Sequence, residues 1–122
     1  MSQLKNIKRL RGKKEIDLIF KKGKSINSGM LRLRFIENKE NRNCVSIGVG
    51  VSKRFVFLAH NRNRVKRQMR AVIKNKEAEL LEVLPAGDYM FLFGGSAPVS
   101  TAVLTLDFVQ LVEKISRLHS ES

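Results

Sequence analysis

Residues 61–70 read Asn-Arg-Asn-Arg-Val-Lys-Arg-Gln-Met-Arg, and half of them are basic. Successive residues of an α-helix are rotated by about 100°, so the apolar members would share one side: Val65, Met69, Val72, Ile73 and Leu80. The opposite side would present polar and basic residues, namely Asn63, Arg67, Arg70 and Lys74. The pattern predicts a helix that buries one face and offers the other to a run of phosphates. A solvated charged face is the alternative, but such helices normally intersperse Glu with Lys.

Charge is distributed unevenly along the 122 residues, whose formal net charge is +13. Residues 1–70 contain 20 of the 24 Lys and Arg and four acids, whereas residues 71–122 contain four Lys and Arg and seven acids. A polyanion is therefore expected to bind surfaces built by the first 70 residues, and nucleic acid is the favoured partner. A membrane surface is disfavoured, because no basic amphipathic stretch carries bulky interfacial anchors and Trp is absent.

Composition predicts one folded domain over residues 1–122, since 43% of the residues are hydrophobic and seven are Phe. Cys44 is the only cysteine, which excludes an intramolecular disulfide and makes a reducing cytoplasm the expected location. We expect no membrane span and no signal peptide, because no apolar run is long enough for either.

The pattern before the basic stretch predicts a helix and two strands. Residues 13–22 form the helix, with Ile16, Ile19 and Phe20 on one face and Gly23 as the C-terminal cap. Residues 30–37 alternate like a half-buried strand that presents Arg32 and Arg34 on its open face. A polar turn over residues 38–43 leads to a β-branched strand over residues 44–52, which we expect to pair antiparallel with the first strand.

The later part of the chain predicts helix, strand and helix. Helical periodicity runs from about residue 60 to residue 84 and ends at Pro85-Ala-Gly87. Residues 88–93 form an apolar strand closed by Gly94-Gly95, and residues 96–104 form a loop. The final amphipathic helix covers residues 107–119 and is expected to bury five residues: Phe108, Leu111, Val112, Ile115 and Leu118. The order helix-strand-strand-helix-strand-helix defines an α/β sandwich, whose crossover would by default be right-handed.

Arg62-Asn63-Arg64 followed by Lys66-Arg67 resembles the RNR signature of the bacterial ribonuclease P protein subunit. Three further stretches resemble the same family in the same order. The first covers Arg9-Leu10, Glu15-Ile16, Ile19-Phe20 and Lys22-Gly-Lys-Ser25. The others are Gly48-Val-Gly-Val-Ser-Lys53 and Leu84-Pro-Ala-Gly-Asp-Tyr89. The likeness therefore extends over nearly the whole chain.

The resemblance implies the fold of the second domain of ribosomal protein S5, including a left-handed crossover that replaces our default. It also implies that the protein binds the catalytic RNA subunit of ribonuclease P and assists removal of the 5′ leader from precursor tRNA. Mg²⁺ would be held by the RNA subunit, catalysis would reside there, and no stable protein partner is implied.

The resemblance also assigns site residues. Seven would bind the RNA subunit: Arg62, Asn63, Arg64, Lys66, Arg67, Arg70 and Lys74. Seven would line the cleft for the leader of precursor tRNA: Lys13, Ile16, Phe20, Arg32, Arg34, Lys53 and Arg54. This chain departs from the family at Ile16, where an aromatic residue is frequent, and at Arg34, where Tyr occurs. It also lacks the usual Gly-containing lead-in to the basic helix, which leaves the path of residues 55–61 open.

The residues themselves offer no catalytic constellation. His60 and His119, the only histidines, are far apart in sequence, and Asp88 and Asp107 lack neighbours at metal-ligand or general-acid spacing. A phosphate-cradling loop of Walker type is also missing. Two alternatives stay open on the residues alone, a non-enzymatic ribosomal or assembly-type RNA-binding protein and a DNA-binding protein that uses residues 61–74 as a recognition helix.

Overall fold

A computed structural model describes residues 6–10, 12–37 and 44–120, and the predicted turn at residues 38–43 lies outside these ranges. The described chain forms five strands and four helices. In chain order they are β1 (Asn6–Arg9), α1 (Lys13–Lys22), β2 (Lys24–Ser28), β3 (Leu31–Glu37), β4 (Cys44–Val51), α2 (Ala59–Asn75), α3 (Glu77–Val83), β5 (Gly87–Phe93) and α4 (Thr101–Ser120).

The strands form a single sheet in the order β1-β4-β5-β3-β2. Strands β1, β4 and β5 are parallel, whereas β3 runs antiparallel to both β5 and β2. The predicted pairing of β3 with β4 was wrong, because Tyr89 of β5 lies between Phe35 and Ile47. The most continuously apolar strand thus takes the centre of the sheet, where both faces are covered. The left-handed crossover from β4 to β5 stays a prediction.

Four further differences concern the extent of the elements and the core. Strands β1 and β2 were not predicted, and the long helix is divided at Lys76, where the backbone (φ −103°, ψ 17°) leaves the helical region. Helix α4 begins at Thr101 and not at residue 107, because the Ser100 hydroxyl accepts the N–H of Val103 at 3.1 Å and caps the helix. Leu118 is exposed, so the last predicted core position was wrong as well.

Helices α2, α3 and α4 cover one face of the sheet and form the main core with it. The five apolar residues predicted to share one side of the basic helix are all buried there: Val65, Met69, Val72, Ile73 and Leu80. Phe91 packs against Phe108 of α4 with ring centroids 4.7 Å apart. Burial on this scale is the main source of the fold's stability.

Helix α1 covers the opposite face, onto which β3 directs Arg32 and Arg34. Ile19 is fully buried and anchors the helix. Gly48 and Gly50 lie beneath the side chains of Met90 and Leu92. A Cβ at Gly48 would be 2.9 Å from the Met90 sulfur. The small residues of β4 therefore let these side chains lie close to the sheet.

Helix α4 fastens the turn between β2 and β3. Gly29 adopts φ +58°, and the Asp107 carboxylate accepts the N–H of Met30 at 3.1 Å. The Ser28 hydroxyl donates to Gln110 at 2.7 Å. A side chain at Gly29 would collide with Asp107, so glycine is required both for the φ angle and for space. Asp107 thus has a structural role in holding this turn.

Tyr89, the only tyrosine, should make the protein sensitive to alkali. Its ring stacks on Phe35 at 5.6 Å, and its hydroxyl donates to the Pro85 carbonyl at 2.6 Å. Burial, and secondarily the charges of Glu37 and Asp88, raise the pKa of Tyr89 above the ordinary 10.0. The folded state therefore holds the phenol proton more tightly than the unfolded chain, so this stabilisation is complete below about pH 10 and is lost above it.

Urea unfolding across this alkaline range measures the effect. The free energy of unfolding should fall more steeply with pH for the native chain than for Tyr89→Phe, which lacks the ionisable group. Equal pH dependences would contradict the prediction.

Candidate nucleic-acid interface

The outward face of α2 is a strip of basic and polar side chains. Asn63, Arg64, Arg67, Arg70 and Lys74 are all exposed on it. No acid occurs in the sequence between Glu40 and Glu77, so α2 itself provides no counter-ion. The apolar face beneath holds the helix on the sheet. The arrangement matches a surface that follows a phosphate backbone.

Arg62 differs from its neighbours, because its guanidinium turns back toward the chain. Its Nη1 donates to the carbonyl oxygens of Val56 and Phe57 at 3.0 and 2.7 Å. Val56 is buried and its N–H donates to the Ser52 carbonyl at 3.0 Å. The lead-in loop, residues 52–58, is thus fixed to the first turn of α2. This is the path that the sequence left open.

A basic cavity of about 790 Å³ lies between β1 and α2. Lys8 and Arg9 line it from β1, and Arg70 and Lys74 line it from α2. Burial and then the nearby charge of Arg9 lower the pKa of Arg70. Like charges held together in this way are stabilised by a bound polyanion. The cavity therefore extends the basic strip of α2 onto β1. The sequence did not predict this contribution, because β1 is too short to be recognised as a strand.

A second hollow, about 700 Å³, lies on the α1 face of the sheet and is called the cleft here. Its rim carries two aromatic rings, Phe20 of α1 and Phe55 of the lead-in loop, which are 45% and 56% exposed. Arg32 lines it from β3 and donates from Nε to Asn27 at 2.9 Å. Of the described residues that line the cleft, none is acidic. Exposed rings beside a cation suit the bases of a single strand.

Arg34 contacts both the backbone and the ring of Phe20. Its Nη2 donates to the Phe20 carbonyl at 2.8 Å, and its guanidinium carbon lies 5.5 Å from the centre of the Phe20 ring. The guanidinium therefore both caps the C-terminal end of α1 and packs against the ring. Its buried Nε has no hydrogen-bond partner. These contacts make Arg34 a positioning residue for Phe20, and a direct leader contact by Arg34 stays a prediction.

The other predicted residues lie around these surfaces. Lys66 is half-buried in α2, and Lys13 is exposed at the start of α1. Lys53 and Arg54 are exposed between Ser52 and Phe55, two residues that line the cleft. Ile16 lies one turn before Phe20 on α1, but it lines the basic cavity and not the cleft. The structure thus places Phe20 and Arg32 in the cleft and Ile16 in the neighbouring basic cavity.

Metal-binding groups of three or more His, Cys, Asp or Glu are absent from the described residues. The side chain of His119 lies outside them. Within the same part of the chain, no helix combines the length and the apolar character that crossing a membrane requires.

A mixed sheet with helices on both faces defines the class of α/β domains, and here one face carries a basic helix and the other an aromatic cleft. The family model described as Ribonuclease P matches residues 4–119. The chain belongs to the ribonuclease P family of protein components, and so has a role in an endoribonuclease complex that processes tRNA. The family and fold class predicted from the sequence are confirmed.

Similar proteins agree with this assignment. The ribonuclease P protein component of Xylella fastidiosa is 31% identical over 105 residues, which cover 85% of this chain and 73% of that protein. The component of Nitratiruptor is 28% identical over 94% of this chain and 92% of its own length. The component of Lactobacillus helveticus is 31% identical over 69% of this chain and 66% of its own length.

Solved structures of two ribonuclease P proteins share the fold. The Staphylococcus aureus protein superposes with a TM-score of 0.69 at 24% identity, over 88% of this chain and 94% of that chain. The Thermotoga maritima protein gives the same TM-score at 21% identity, over 88% and 96%.

Proposed function

We propose that this protein bridges two RNAs, the catalytic RNA subunit of ribonuclease P and the 5′ leader of precursor tRNA. The observation that carries the proposal is the placement of two different surfaces on opposite faces of one sheet. The basic strip of α2 suits the folded, phosphate-rich RNA subunit, and the cleft with Phe20 and Arg32 suits an unstacked single strand. The lead-in loop connects the two.

We propose that the hydrolytic Mg²⁺ belongs to the RNA subunit and that the protein supplies no catalytic residue. Asp107, which the sequence left without a role, accepts the N–H of Met30, and Glu79 lies 3.7 Å from Lys76. The protein would contribute cations that reduce repulsion between the RNAs and contacts that only leader-bearing substrate can make. We place the protein in the cytoplasm, with no stable protein partner.

Single-turnover cleavage across a Mg²⁺ series tests this division of labour. The RNA subunit alone should cut at high Mg²⁺, and added protein should lower the Mg²⁺ required without moving the cleavage site, because its cations replace screening ions. The protein should also raise the affinity for precursor tRNA more than the affinity for mature tRNA.

Two outcomes would contradict the proposal. Efficient cleavage by the protein without the RNA subunit would place catalysis in this chain. An equal gain in affinity for precursor and mature tRNA would show that the protein makes no contact with the leader.

A further inference from the structure

We propose that Phe55 is a second base-stacking residue of the cleft, which holds a nucleotide of the leader together with Phe20. The inference rests on the proposed function and adds a residue that the sequence comparison did not assign. Phe55 belongs to the lead-in loop, lines the cleft together with Phe20 of α1, and exposes more than half of its surface. Two exposed aromatic rings in one cleft can hold successive bases of one strand.

The ring is presented by a loop with a defined backbone. Ser52 accepts from both sides of Phe55, since its hydroxyl takes the N–H of Arg54 at 3.1 Å and its carbonyl takes the N–H of Val56 at 3.0 Å. Val56 is buried immediately after it, and Arg62 holds the carbonyl of Val56. Phe55 is therefore exposed on a turn that is tied down at both ends. Ordering such a residue costs little entropy on binding.

The positive charge around the cleft indicates that the ligand of the cleft is RNA. Lys53 and Arg54 directly precede Phe55, Arg32 lies in the same cleft, and the described lining contains no acid. A purely apolar peptide would leave these cations without partners. A nucleotide satisfies both features, because its base stacks on the ring while its phosphate meets the cations.

The chain contains no Trp, so Phe55→Trp introduces a unique fluorescent reporter. The holoenzyme is assembled with this variant and titrated with precursor tRNA and with mature tRNA. We expect the emission to change on binding precursor tRNA and to stay constant with mature tRNA. Phe57→Trp is the matched control, because Phe57 is 84% exposed in the same loop and does not line the cleft. Its emission should not distinguish the two substrates.

Affinity gives an independent measurement. Phe55→Ala should weaken precursor binding by roughly 5- to 150-fold and leave mature tRNA binding unchanged. If Phe55→Trp responds equally to both substrates, or Phe55→Ala binds precursor normally, the proposal is wrong. The unmodified holoenzyme separates this failure from that of the proposed function, because the leader contact itself is contradicted only if the unmodified holoenzyme also binds precursor and mature tRNA equally.

Discussion

Simultaneous replacement of Arg64, Arg67 and Arg70 by alanine is expected to weaken binding to the RNA subunit and to flatten its salt dependence. Each lost phosphate contact removes about 0.7–0.9 from the slope of log K against log salt, so the triple variant should lose roughly 2 to 3. All three side chains are exposed on α2, and alanine is a strong helix former, so the fold should be retained. Filter binding over a salt series measures the slope.

The control removes the same charge from the other half of the chain. Lys76, Lys114 and Arg117 are replaced together, since they lie outside the basic strip. This variant should keep nearly the whole slope. If the salt slope falls equally in the two triple variants, the cations of α2 contribute no more to binding than cations elsewhere, and only the net charge matters.

Phe20→Ala is expected to cost about 1–3 kcal/mol of precursor affinity, the usual value of a base stacked on an aromatic ring. The ring lies on the rim of the cleft, and Arg34 fixes its position through the Phe20 carbonyl. Mature tRNA lacks a leader, so its affinity should stay the same. Equilibrium binding of both substrates to the reconstituted holoenzyme gives the two values.

Leu18→Ala controls for a general effect on α1. Leu18 is 45% exposed, as Phe20 is, but it does not line the cleft. We expect native affinity from this variant. A similar loss in Leu18→Ala, or a Phe20→Ala chain that unfolds, would show that Phe20 serves packing and not the leader.

The sequence predicts those parts of the fold that depend on local periodicity. The alternation of residues 31–35 places Leu33 inward and Arg34 on the α1 face, and the helical spacing of Val65 and Met69 identifies the buried side of α2. Both patterns arise because burial repeats with the geometry of the element. The resemblance to the family added the function, which periodicity alone left open.

Elements and pairings that depend on distant residues could not be predicted in this way. Strand β2, Lys24–Ser28, has a single strongly apolar residue and exists because β3 pairs with it. The insertion of β5 between β3 and β4 is likewise invisible in local pattern. The start of α4 could have been predicted from local sequence, because Ser100 is a residue type that commonly caps helices.

The candidate site shows the same limit. Composition identifies Arg34 and Arg62 as cations, but it cannot show that each binds backbone carbonyls, Arg34 at the end of α1 and Arg62 in the lead-in loop. The sequence shows that residue 55 is aromatic, but only the path of the lead-in loop shows that Phe55 lines the cleft. Side-chain direction, more than residue type, decides these roles.

The central position of β5 has a consequence for biosynthesis. Both neighbours of this strand, β3 and β4, precede it in the chain, so the ribosome releases them before the strand that joins them. Such long-range pairing carries a loop-closure cost and slows folding. Helix α2 also leaves the ribosome before β5. At that stage its cations are exposed, and its apolar side has no completed sheet to pack against. The nascent chain therefore exposes the cations of α2 before it has a hydrophobic core.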